Sequence, residues 1–168
     1  MVKKFNIKQL TRIALLGALL YVAQVSLSFL PNIEIVTLLI VIFTKNLGKE
    51  GTIACFVYVC LTAITWGFGL WWLTYLVVWP LFSLLVYRLR RIDSWLIWAA
   101  IDGVFGLIFG AVFAIPYAFV SISYAITYWI SGIPFDIAHC IGNIVVAVIF
   151  GKPIDYSIKK ILKVSKNV

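Results

Sequence analysis

Charge is scarce in this chain. Only 12% of its 168 residues are Asp, Glu, Lys or Arg, against roughly a quarter in an ordinary soluble domain, while 64% are hydrophobic. Water would not hold such a surface, which excludes a soluble enzyme. The sequence also lacks a Walker-type phosphate loop, an H-E-x-x-H pair and any internal repeat of transporter size, so hydrolysis of ATP by the chain itself is not expected. Cys55, Cys60 and Cys140 all fall in apolar segments without C-x-x-C spacing. An odd number of that kind fits neither a disulfide framework nor a zinc site, and they read as small thiols buried in a membrane. No small-residue cleavage site follows Phe29-Leu30-Pro31, so the basic, then apolar N-terminus reads as a retained first span rather than a secretory signal.

What is present suits a bilayer, where a helix satisfies its own backbone groups and each span needs roughly 20 mostly apolar residues. A net charge of +8 would suggest nucleic acid if the 14 Lys and Arg residues formed one face. They form four separated clusters instead: Lys3, Lys4, Lys8 and Arg12; Lys45 and Lys49; Arg88, Arg90 and Arg91; and Lys152, Lys159, Lys160, Lys163 and Lys166. No nucleic-acid partner is expected.

The pattern predicts six helices, over about 10–30, 33–44, 51–66, 71–87, 95–114 and 135–150. The first ends at Pro31 and the fifth before Pro116, because proline lacks a backbone donor and restricts the residue before it. The second is short, leaving a tilted span or a partial one. The apolar stretch 117–130, rich in Ser, Thr and Tyr, fits either an extension of helix 5 or a partly buried loop ending at Ser131-Gly132-Ile133-Pro134. Helix 6 breaks at Gly151-Lys152-Pro153, and 152–168 follows as a short basic amphipathic tail. Six spans put both termini, the 2–3 loop and the 4–5 loop on one side, together with every basic residue, and the positive-inside rule makes that side the cytoplasm. The expectation is a single-domain, all-α, multi-pass protein of a bacterial plasma membrane with both ends inside. Trp66, Trp71, Trp72 and Trp129 fall at the outer ends, as an interfacial belt requires.

Hydropathy leaves several polar residues at those outer ends unexplained: Asn32 and Glu34 before helix 2, and Asp136, His139 and Asn143 in helix 6. Ionisable groups inside a span are expensive and suggest a site. The last three share one helix face by their spacing. They read as hydrogen-bonding groups of an outward-facing pocket with walls from Trp66, Trp71, Trp72, Tyr75, Trp79, Tyr117 and Trp129. The competing reading makes Asp136 a helix cap paired with His139 and the aromatics mere anchors, but His139 and Asn143 sit deeper than a cap needs to reach. Asp102, near Gly103 and Gly106, reads as a structural carboxyl between helices. The small residues Ala99, Gly103, Gly106, Gly110 and Ala114 suit internal packing of helix 5, whereas Ala14, Gly17 and Ala18 give helix 1 a face for packing or docking.

A small six-helix protein with these features and no ATPase of its own resembles the substrate-binding S components of energy-coupling factor importers. The resemblance runs over nearly the whole chain and is most specific in Pro31-Asn32-Ile33-Glu34, in the run from Trp71 to Pro80, and in the segment from Ser131 to Asn143. It implies an S-component-like bundle that captures a vitamin or related micronutrient outside. The bundle would dock through the Ala14–Gly17–Ala18 face on a shared transmembrane coupling subunit driven by two ATPase subunits, and topple to release its ligand inside. No cofactor, resident metal or catalytic residue is implied. Among ligands the subgroup puts cobalamin first, with queuosine-type bases, pantothenate, folate and pyridoxine-related compounds behind it, and Glu34 and Asp136 argue against a strongly anionic one. Two other classes stay open. A membrane-embedded metal-dependent hydrolase would use Asp136 and His139 with Glu34 as a third ligand, and an autonomous proton-coupled carrier would use Glu34 or Asp102.

Overall fold

Helix α1 (Ile7–Ser26) starts at a capping box, in which Asn6 Oδ1 accepts from the Gln9 amide at 2.9 Å and Gln9 Oε1 accepts from the Asn6 amide at 3.0 Å. The computed structural model describes residues 5–166, with side chains described as far as 163; Lys3, Lys4 and the side chain of Lys166 lie outside the described part. Among the described residues the chain is all helical, with α1 followed by α2 (Val36–Leu47), α3 (Lys49–Trp66), α4 (Leu70–Leu89), α5 (Trp95–Ala118) and α6 (Ile122–Lys166). By length and composition α1, α4, α5 and α6 are long and apolar enough to cross a membrane.

Two close approaches set the layout of the first three helices. A single residue, Gly48 at φ +61°, turns α2 into α3, and a Cβ on Gly51 would lie 2.7 Å from the Thr44 backbone, so the two helices pack almost main chain to main chain. A Cβ on Gly17 would lie 2.5 Å from the Val57 side chain and 3.1 Å from the Ala54 carbonyl oxygen, so α1 also packs tightly on α3. At 12 residues α2 is only about 18 Å long. It is buried on every side, with Val36, Ile40, Val41 and Ile42 fully enclosed, which explains a hydrophobic run without a polar stripe.

Three of the expected breaks do not occur. Pro116 lies inside α5, and residues 117–130 are helical except for a short link at 119–121. Helix α6 then runs 45 residues without interruption through Pro134 and Pro153, roughly 68 Å in length. A proline inside a helix costs about 3 kcal/mol because it removes one donor and crowds the preceding turn. Here contacts on both sides flank the helix at each one. Tyr128 packs on Tyr117 before Pro134, and Asp136 bonds Gly110 after it. Gly151 abuts Trp95 before Pro153, and Asp155 accepts from Asn46 at 2.7 Å after it. Helix α1, by contrast, stops short of the expected Leu30, and residues 27–35 cross over the bundle end as a link carrying Pro31.

The ends of the bundle differ in character. At one, Arg12 pairs with Glu50 at 2.6 Å, and Lys45 donates to the Ile92 carbonyl while lying 5.0 Å over the Trp98 ring. Every described Lys and Arg gathers there, from α1, the α2–α3 turn, the α4–α5 link and the far half of α6. The opposite end carries none.

Candidate functional site

The 27–35 link precedes α2 at the end free of basic side chains, and space is left there. It forms a cavity of about 300 Å³ beneath the 27–35 link. Asn32 in that link has φ +60°, a left-handed conformation that asparagine tolerates better than other residues with a Cβ. The walls come from Gln24 on α1, Trp66 at the end of α3, Tyr75 and Trp79 on α4, Phe109 on α5 and His139 on α6. The aromatic rings brace one another edge-on: Tyr75 lies 5.6 Å from Trp79, and Phe109 lies 5.0 Å from the His139 ring.

A polar chain runs down from this cavity into the bundle. Glu34 caps α2, accepting from the Thr37 amide at 2.8 Å and from the Thr37 hydroxyl. Its Oε1 is 3.5 Å from His139 Nε2. Below it, Asn143 Nδ2 donates to the Asp102 carbonyl at 3.1 Å and lies 3.5 Å from Thr37 Oγ1. Three helices and the link are thereby joined through side chains that are almost fully buried.

Several polar atoms in this region have no hydrogen-bond partner, which is rare for buried groups. Trp79 Nε1 and His139 Nε2, on residues 2% and 5% exposed, belong to cavity-lining side chains. Both carboxylate oxygens of Asp102 and Asn143 Oδ1 are orphaned deeper in the bundle. Gln24 is half satisfied: its Oε1 accepts from Tyr58 at 3.0 Å, and no bond is made by its amide nitrogen.

Of the residues singled out from sequence, Asn32, Glu34, Trp66, Tyr75, Trp79 and His139 converge on this cavity. Trp71 borders a smaller adjoining recess with Gln24, Trp66 and Tyr75. The others are directed elsewhere. Trp72 donates to the Val59 carbonyl at 3.0 Å and serves the α3–α4 packing, Tyr117 packs against Tyr124 and Tyr128, and Trp129 is 44% exposed on the outer flank of α6. Asn143 supports the floor from below. Asp136 sits in the middle of α6, so it caps nothing, and its Oδ1 accepts from the Gly110 amide at 2.9 Å rather than pairing with His139. That separates it from Glu34 and His139, and among the described residues no three His, Cys, Asp or Glu side chains gather closely enough to hold a metal.

Gln24 and Phe109 line the cavity without having been singled out. Gln24 carried a signal, being a lone amide in the apolar run of α1, whereas Phe109 is one more phenylalanine in an apolar helix. On the candidate docking face, Ala14 is exposed and Ala18 half-buried, but Gly17 points inward against Ala54 and Val57 of α3 and is not on that surface. Comparison with known protein families, with curated proteins and with solved structures finds no match to this chain.

Proposed function

We propose that this chain is a membrane-embedded receptor for a small molecule, working as the substrate-binding subunit of an energy-coupled importer of the S-component type. All six helices belong to the membrane domain in this reading. The basic end faces the cytoplasm and the cavity opens to the outside. The observation that carries it is the cavity itself: a recess walled by aromatics whose buried Trp79 and His139 nitrogens lack partners, at the end opposite all described basic residues. Structural polar groups are ordinarily satisfied within the protein, so unpaired nitrogens on the residues that line a cavity are what a ligand would complete. Energy would come from a coupling subunit and two ATPases docking on the apolar outer surface that includes Ala14 and Ala18.

The volume bears on the ligand. Cavities for drug-sized molecules span roughly 300–1,000 Å³, and this one stands at the bottom of that range. A corrinoid exceeds it and would fit only with part of it projecting through the mouth or with the 27–35 link displaced. Smaller vitamin-like ligands need neither.

Purification without added ligand, followed by mass spectrometry of bound small molecules, should recover a stoichiometric compound. Uptake into vesicles should then require the energy-coupling module. Transport that is equally fast without the module would sink the reading in favour of an autonomous carrier.

A further inference from the structure

We propose that the cavity takes an uncharged, flat heterocycle of about two fused rings, bearing hydrogen-bond acceptors along one edge, and rejects the phosphorylated form of the same ring. This rests on the receptor reading above and names the class of its ligand.

The hydrogen-bond inventory comes first. Trp79 Nε1 is a donor only, and it is buried without a partner. Gln24 has committed its oxygen to Tyr58 and keeps its NH₂ group to give. His139 Nε2 stands 3.5 Å from the Glu34 carboxylate and makes no hydrogen bond. On the acceptor side each Glu34 oxygen already accepts one bond from Thr37, and the Asn32 and Tyr75 side chains in the lining can donate as well as accept. A ligand entering here meets unpaired N–H groups on Trp79 and Gln24, which ring nitrogens or carbonyls would satisfy.

Charge narrows the class further. No Lys or Arg lines the cavity, and all the described ones lie at the far end of the bundle. A phosphate or carboxylate placed among these walls would be stripped of water beside the Glu34 carboxylate with no cation to pair it. Shape supplies the last restriction. Trp66, Tyr75, Trp79 and Phe109 offer ring surfaces for stacking, and about 300 Å³ leaves room for a bicycle.

The test uses the full-length protein in nanodiscs after removal of co-purified material, with tryptophan fluorescence as the readout. The probes are adenine, hypoxanthine and 6-methylpterin, the monophosphates of the two purines, and cobinamide. At least one uncharged bicycle is expected to saturate, each monophosphate to bind at least a hundredfold more weakly than its base, and Trp79→Phe to weaken the bicycle about tenfold, as loss of one hydrogen bond does. Trp129→Phe, on the exposed flank, is expected to leave affinity unchanged. The base-to-monophosphate comparison uses only the unmodified protein, so a misfolded variant cannot obscure it. A monophosphate that binds as tightly as its base, or binding of cobinamide alone, overturns the ligand class and leaves the receptor standing. Silence of every bicycle also overturns the class; if it coincides with no module-dependent uptake from growth medium, the receptor reading falls with it.

Discussion

Asn143 and Asp102 are neighbours on facing helices, yet the structure gives them opposite weights. The Asn143 amide donates to the Asp102 carbonyl and approaches Thr37, whereas the Asp102 side chain makes no hydrogen bond at all. Asn143→Leu should therefore lower stability by about 1–3 kcal/mol, because it leaves buried acceptors unserved, and Asp102→Asn should cost less. Thermal unfolding in one detergent compares them directly, and the reverse order would mean that Asp102 holds something unseen. Glu34→Ala removes the cap of α2 and should cost roughly 1 kcal/mol in the same assay, with an added loss of ligand affinity because His139 loses its neighbour. From sequence, these residues stood out only because charge and amides are rare in apolar helices. Their rarity marked the region, but nothing in their spacing told Asp136, turned toward Gly110, from His139, turned toward the cavity.

At the scale of helices, the glycines of α5 explain how closely α6 lies against it. A Cβ on Gly106 would meet the His139 and Cys140 backbone at 2.9 Å, while one on Gly103 would meet only the Ile144 side chain at 2.6 Å. A side chain can turn away and a helix backbone cannot, so Gly106→Ala should be the more damaging change, by about 1–3 kcal/mol. It should also weaken ligand binding, since His139 moves with its backbone. On α1, Gly17→Leu is expected to destabilise the protein, whereas Ala14→Leu should leave its melting temperature and ligand affinity intact and abolish module-dependent uptake. If Ala14→Leu has no effect on uptake, docking uses another face. The existence of the helices, the shortness of α2 and the packing role of the α5 glycines were legible because each follows from local composition. The continuity of α6 was not. Proline is a local signal for a break, and what overrides it here is the grip of Tyr117, Gly110, Trp95 and Asn46, residues remote in sequence from Pro134 and Pro153.

For the whole molecule, the separation of basic residues from cavity makes orientation measurable. In a background with Cys55, Cys60 and Cys140 replaced, Ser28→Cys at the cavity rim should react with an impermeant maleimide on intact cells, and Lys160→Cys should react only after permeabilisation. The opposite pattern would invert the proposed topology and remove the argument for outside capture. The positions of the basic clusters along the sequence predicted which end is basic, but the cavity depends on how the helices pack side by side. Helix α2 has 12 residues and α3 has 18, a mismatch of roughly 9 Å. The binding chamber is bounded by the link that leads into this short helix, so its shape depends on where α2 begins. One extra turn before Val36 would shift Asn32 and Glu34, which line the chamber, by about 5 Å along the helix axis and should narrow it, and one turn fewer should make room for a bulkier guest. Ligand size in this architecture is in that sense a dial turned by the length of a single helix.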